Sequence, residues 1–383
     1  MERPLRVFYL VNAFEPDAPT RLMAAVAAGV QVSKRCVCRV AALRRTGPFE
    51  RHLACLGLET RFVDMPSGRH VFALQRLAYE IRTFQPDVFH ASLLRPTLLG
   101  VPIARLTGVP RVVVTQHGTH EWEEGGVIAR WIVPSAFRRV SRHANAVVAV
   151  SDATRHDLLA AGLSHDRLRV IPNGVDTVTF HPEKRAGRAD LIRSLGFPDD
   201  TLLVGAAGNL RAVKGHIVLV RAAVHVVKRL ARARFVVWGE GPLRECLEQA
   251  VTEAGLGGCF VFPGWRADMA SAMAACDVFV QPSLRESFGL AAAEAMSAGV
   301  AVAASNTGGL PELVSDGEAG LLFSTGSPEA LAVILHYLLS DAQLRARLGA
   351  AARRRVLEFF SQERMVRDYL SLYEHLVATD SLQ

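Results

Sequence analysis

Two glutamates eight residues apart, Glu286 and Glu294, are together with Lys214 and His117 the side chains whose types and settings could do chemistry. Residues 277–281 read as a short buried strand, and the Ala-rich segment after them reads as a helix that Gly299 stops as its C′ residue. Ser287 is the expected N-cap, which makes Phe288, Gly289 and Leu290 the first helical residues. Their backbone N–H groups lack intrahelical partners and sit at the positive end of the helix dipole, so they form an anion site. Glu286 lies in the loop before that site. Glu294 lies about 9 Å further along the helix axis, a span that suits a ribose beside a diphosphate. Each carboxylate also has a plainer reading. Glu286 could be a solvated loop charge, and Glu294 an internal ion pair or a partly exposed helix position. A lone carboxylate among Ala291, Ala292, Ala293, Ala295 and Met296 is costly to bury unless something hydrogen-bonds it.

Other candidates stand at similar junctions. Lys214 lies in Gly208-Asn209-Leu210-Arg211-Ala212-Val213-Lys214-Gly215, between a strand over 201–207 and an amphipathic helix over 216–230. It either faces a crevice or is an ordinary surface lysine. Gly239 follows a strand over 235–238, and Arg266 follows one ending in Val261-Phe262. Gly239-x-Gly241 does not complete a dinucleotide fingerprint, because Arg244 occupies the place of the third glycine. Lys214, Gly239, Arg266 and Glu286 thus fall at carboxyl ends of strands in one sheet, where doubly wound sheets bind ligands. His117, after a strand over 111–116, either caps a local turn or faces such a crevice.

The elements that must position these residues are repeated βα units. Apolar runs at 5–12, 36–42, 61–65, 88–91, 111–116 and 146–150 alternate with helical patterns at 21–30, 71–84, 96–106 and 153–160, which predicts a mostly parallel sheet covered on both faces. The loop 12–20 contains no glycine, so a dinucleotide-binding role at this end is not expected. Pro172, the Asn173-Gly174 turn and the polar run 181–190 mark a domain boundary and linker. The expected division is 1–172, 173–360 and a terminal helix over 361–383. Residues 328–377 carry apolar positions at helical spacing.

Pro282-Ser283-Leu284-Arg285-Glu286-Ser287-Phe288-Gly289, followed by Glu294-Ala295-Met296 and Gly299, resembles the signature of the family-4 retaining glycosyltransferases, with its two glutamates in the E-x7-E spacing. The resemblance continues through Asn306-Thr307-Gly308-Gly309-Leu310-Pro311-Glu312 and into Asp316-Gly317-Glu318-Ala319-Gly320. It covers nearly the whole second domain and thinner islands of the first, including 170–176 with Phe180 and Pro182. It implies the GT-B fold, an α/β architecture of two Rossmann-like doubly wound parallel-sheet domains facing across a cleft, with the last helix crossing back to the first domain.

The implied activity is sugar transfer from a UDP- or GDP-linked donor to the hydroxyl of a carbohydrate or lipid-linked acceptor, with retention, in polysaccharide, lipopolysaccharide or glycolipid synthesis. By that resemblance Lys214 neutralises the diphosphate, Ser287, Phe288, Gly289 and Leu290 complete the anion site, and Glu294 holds the ribose. Arg266 flanks the nucleobase with Gly239 nearby, and Glu286 and His117 address the sugar. Asn209 stands where the family has arginine, so either Arg211 replaces it or one phosphate contact is missing. No cofactor or metal is expected beyond the nucleotide sugar itself. The competing readings are an epimerase of the same architecture and a non-catalytic nucleotide-sugar sensor.

Composition agrees with a globular chain: 383 residues are 50% hydrophobic and 21% charged. The formal net charge of +7 is uneven, with 23 Lys+Arg against 15 Asp+Glu in residues 1–180 and 21 against 22 thereafter. This basic first half is either an inert Arg-rich surface or a face for an anionic acceptor or membrane surface. No nucleic-acid partner is expected. Six cysteines without paired spacing suit a reducing cytosol, and the absence of a long apolar run leads to a cytoplasmic expectation, peripheral at most to the inner membrane face.

Overall fold

The computed structural model describes residues 3–45, 47–65, 70–118, 122 and 126–378. The chain forms two compact units, Met1–Gly174 with Gln362–Gln383, and Val175–Ser361.

The first unit holds seven parallel strands: β1 (Leu5–Val11), β2 (Cys36–Ala42), β3 (Glu59–Phe62), β4 (Val88–Ser92), β5 (Arg111–Gln116), β6 (Ala146–Ala149) and β7 (Leu168–Val170). Their order is β3-β2-β1-β4-β5-β6-β7. Strands β4 and β6 are buried at every residue, as short Val/Ala-rich runs are when helices cover both faces of a sheet. The strand expected over 61–65 is displaced to Glu59–Phe62, and Asp64 at φ +56° has already left extended geometry. A helix that the sequence pattern did not announce, Gly126–Ser141, lies between β5 and β6, with Pro134 inside it interrupting the regular signal. The helix Gln362–Ala378 packs on the helix Ala18–Val32 and buries Tyr369 and Tyr373. Their hydroxyls lie 2.9 Å from Thr115 Oγ1 and 2.6 Å from His90 Nδ1.

The second unit holds β8 (Leu202–Ala207), β9 (Ala233–Trp238), β10 (Phe260–Gly264), β11 (Val278–Gln281), β12 (Ala301–Ser305) and β13 (Leu321–Phe323), all parallel, in the order β10-β9-β8-β11-β12-β13. Each unit has its own core of aliphatic and Phe side chains. The polar run 181–190 is not a linker. Pro182–Gly187 is a 3-10 turn and Arg188–Ser194 a helix. Arg185 and Arg188 reach the carboxylate of Asp277 at 2.9 and 2.7 Å, just before β11. Composition misreads this segment because its arginines are spent on a largely buried carboxylate rather than on solvent.

Chain order reverses twice across neighbouring strands, between β1 and β4 in the first unit and between β8 and β11 in the second. At such a switch point the two connections leave in opposite directions and open a crevice beyond the carboxyl ends.

Candidate functional site

The loops after β8 and β11 meet at the second unit's switch point, and they carry Lys214 and Glu286. Lys214 closes the 3-10 turn Ala212–Lys214, and its Nζ donates to Glu286 Oε2 at 2.7 Å. The same oxygen accepts from Ser283 Oγ at 2.9 Å and from Gln281 Nε2 at 3.1 Å. Three donors on one oxygen fix the carboxylate, while Oε1 has no hydrogen-bond partner among the described residues. The Glu286 side chain is 11% exposed and that of Lys214 27%, so the cation is the more accessible partner.

The following helix begins later than Ser287 would have it. It runs Leu290–Ser297, and its N-cap is Gly289 in the left-handed region at φ +95°, a conformation that glycine adopts without strain. Ser287 is therefore not the N-cap, and Phe288 and Gly289 are not helical. The Phe288 ring is buried and packs edge-on against Phe360 at 5.6 Å. What sets the loop is a backbone clasp. Gly309 N–H donates to Glu286 O at 3.1 Å, and a Cβ on Gly308, at φ +54°, would lie 1.7 Å from that oxygen. The N–H groups that begin the helix are those from Leu290 onward, and Ala293 N–H is the first to bond back, to Gly289 O at 3.0 Å.

Glu294 sits in this helix at 7% exposure among buried alanines and Met296, and Gly299 at φ +75° follows the helix end as expected. Gly239 follows β9, its N–H bonded to Gly264 O at 3.0 Å. Arg266 follows β10 and donates from Nε to Asp268 O at 3.2 Å. Arg211 is exposed and flanks the turn that carries Lys214. Arg266, Gly239, Lys214 and Glu286 thus follow four strands that are consecutive in the sheet, β10-β9-β8-β11.

Sequence reasoning missed three side chains here. Ser283 stands three residues before Glu286, a serine-to-acid spacing that was available as a signal. Gln281 is a fully buried polar residue ending an apolar strand. His216, the first residue of the helix His216–Val227, is 2% exposed, and neither ring nitrogen has a hydrogen-bond partner among the described residues. Its Nε2 and the Lys214 side chain both flank Gly208. Burial and the Lys214 charge lower its pKa to about 4, although the nearby Asn209 backbone, short of hydrogen-bond geometry, pulls slightly the other way.

His117 lies in the first unit, just after β5, with Nε2 3.1 Å from Ser92 Oγ. It keeps some surface, yet its ring is deep enough that burial lowers its pKa to about 4. Thr119 and His120 beside it lie outside the described residues. Among the described residues no group of three or more His, Cys, Asp or Glu side chains could hold a metal ion, and no helix is long and apolar enough to cross a membrane.

Residues 187–355 match the family model for glycosyl transferases group 1, and residues 26–179 that for glycosyltransferase family 4. D-inositol 3-phosphate glycosyltransferase of Xylanimonas cellulosilytica is 37% identical over 326 residues, covering 80% of this chain and 75% of that protein. Sulfoquinovosyl transferase SQD2 of Arabidopsis thaliana is 33% identical over 288 residues, which is 73% of this chain and 54% of SQD2, so the match spans about half of that relative. The crystal structure of Anabaena Alr3699/HepE in complex with UDP and glucose superposes with a TM-score of 0.84 at 22% identity, covering 97% of this chain and 99% of that one. The last likeness establishes the two-domain GT-B fold.

Proposed function

Because the chain belongs to the group 1 glycosyl transferases, we propose that it transfers a sugar from a nucleotide diphosphate donor to an acceptor hydroxyl with retention of configuration. The observation that carries this is the Lys214–Glu286 pair at the β8/β11 switch point, beside a helix N-terminus and eight residues from the buried Glu294. A departing nucleotide develops negative charge, and fixed donors aimed at it are worth several kcal/mol. Lys214 and the N–H groups from Leu290 onward supply such donors, with Arg211 a second cation on the same loop. Glu294 accepts from ribose hydroxyls, Arg266 and Gly239 border the base, and Glu286 contacts the sugar, while His117 in the first unit offers a sugar oxygen one hydrogen bond. The leaving phosphate takes the acceptor proton, so no protein nucleophile is required. That a solved neighbour holds UDP and glucose supports a uridine nucleotide as the first donor to try.

The acceptor is a carbohydrate or a lipid-linked carbohydrate. Arg44, Arg45, Arg51, Arg138, Arg139 and Arg142 are all exposed on the first unit, and each basic residue near an anionic leaflet contributes ~1 kcal/mol. Sedimentation with anionic but not neutral vesicles, weakening with salt, is expected; equal recovery in both supernatants removes the membrane part of the proposal.

The transfer itself is tested by calorimetric titration with UDP, GDP and their sugar conjugates. The anomeric configuration of the product is then read by proton NMR. Failure to bind any nucleoside diphosphate refutes the reading, and an inverted product refutes retention. Free epimer formed without an acceptor would reassign the enzyme as an epimerase.

A further inference from the structure

We propose that Ser92 is a positioning residue that fixes His117 as the neutral tautomer with its proton on Nδ1, so that His117 meets its ligand as a hydrogen-bond donor.

The geometry begins in the strand register. Ser92 closes β4 and pairs with Thr115 of β5, and His117 lies two residues beyond Thr115, just past the end of β5. The two side chains therefore meet diagonally across neighbouring strands, Oγ to Nε2 at 3.1 Å. Two residues back on each side, His90 Nε2 and Thr115 Oγ1 make the same kind of contact at 2.8 Å. That second pair is capped by Tyr373 and Tyr369, so the ladder is anchored from behind.

The direction of the Ser92–His117 bond follows from the donor inventory. A serine hydroxyl carries one hydrogen, and the only partner of Ser92 Oγ among the described residues is His117 Nε2. Ser92 is 1% exposed. If His117 donated, the hydroxyl hydrogen would remain unpaired in a buried position. If Ser92 donates, that hydrogen is satisfied and Nε2 carries none. A neutral imidazole has a single N–H, which then belongs to Nδ1. That nitrogen has no hydrogen-bond partner among the described residues, and burial keeps the ring uncharged at neutral pH, with a pKa lowered to about 4.

A ring held this way is neither a cation nor a base toward its ligand. It offers one directed N–H, which recognises an oxygen acceptor. On the transferase reading, on which this last identification rests, that acceptor is a hydroxyl oxygen of a sugar substrate.

The test is nitrogen NMR of the full chain labelled in its histidines at pH 7 with no substrate added, His117 being assigned by its loss in His117→Asn. The expected pattern is an unprotonated Nε2 and a protonated Nδ1. Ser92→Ala shifts the ring toward the Nε2–H form that free histidine side chains favour, and Ser92→Thr restores the wild-type pattern. A protonated Nε2 in the wild type overturns the proposal, as does an unchanged tautomer in folded Ser92→Ala. Neither readout depends on nucleotide binding, so this inference and the transferase reading fail separately.

Discussion

Lys214 Nζ and Glu286 Oε2 lie 2.7 Å apart and tie the loop after β8 to the loop after β11. Since Glu286 already holds the cation, a diphosphate must compete with it. Glu286→Gln is therefore expected to tighten UDP binding several-fold while lowering turnover. Lys214→Ala is expected to weaken UDP binding by about ten- to a hundred-fold, the worth of a hydrogen bond to a charged group at ~1.5–3 kcal/mol. Calorimetry with both variants decides, and weaker binding by Glu286→Gln would mean that the carboxylate supports the cation rather than competing for it.

Glu294 is nearly buried in the helix Leu290–Ser297, four residues beyond its first residue and so about 6 Å along the axis rather than the ~9 Å expected from a start at Ser287; this still lies within reach of a ribose beside the helix N-terminus. Glu294→Gln should weaken binding of UDP by ~1–3 kcal/mol. The same substitution should cost little with 2′,3′-dideoxy-UDP, which has no hydroxyls to donate. Equal losses with both ligands would remove the ribose assignment.

Gly308 lets the carbonyl of Glu286 approach closer than any side chain allows, since its Cβ would stand 1.7 Å from that oxygen. Gly308→Ala should destabilise the second unit by ~1–3 kcal/mol and release the Glu286 loop. Gly258→Ala, where an added Cβ meets nothing within 4 Å, serves as the control. A melting temperature for Gly308→Ala equal to that of the control contradicts the clasp.

His216 and His90 are held neutral by burial, with pKa values lowered to about 4 and about 3. Their unfolded values are near 6.5, so the unfolded chain takes up protons first as pH falls. The stability contributed by each neutral ring is complete well above pH 6.5 and is lost as pH falls, down to about pH 4 for His216 and about pH 3 for His90, on the order of 3–5 kcal/mol per ring. Calorimetric scans at pH 7 and pH 4.5 should show this loss. His216→Leu should reduce it and also raise the melting temperature at pH 7, because two unpartnered ring nitrogens are removed. An unchanged pH dependence in that variant would show that another group titrates.

Phosphate charge is met by Lys214 and a helix N-terminus in the proposed mechanism, which leaves no step for a divalent ion. Turnover should persist in excess chelator. Activity lost there and restored by magnesium or manganese would add a metal to the mechanism.

The repeated βα pattern made most of both sheets legible, because short buried strands and amphipathic helices announce themselves through periodicity; β7, β12 and β13, of three to five residues, were not read as strands. The four strand ends bearing Lys214, Gly239, Arg266 and Glu286 were legible for the same reason. The start of the Glu294 helix was not. Ser287 has N-cap chemistry, but the clasp from Gly308 and Gly309, twenty residues away, sets the loop and leaves Gly289 to begin the helix. Local preference lost to a contact that no window of sequence contains. Gln281, His216 and Ser92 were invisible for a related reason: each matters through what stands beside it in space, and none has a spacing of its own to read. The segment 181–190 looked solvated because a run of charges does not reveal that Asp277, far along the chain, will take two of its arginines.

The helix Gln362–Ala378 belongs to the first unit, and Tyr369 and Tyr373 reach across its sheet to Thr115 and His90. On the ribosome this creates a delay. The strands β1–β7 are complete when Gly174 has been made, but the helix that covers them follows only after all of Val175–Ser361 has been synthesised. At ~5–20 residues per second that interval is about 10–40 s. During it the polar row of His90 and Thr115 waits without its tyrosines, so the N-terminal half is the part of the nascent chain with most to gain from a chaperone.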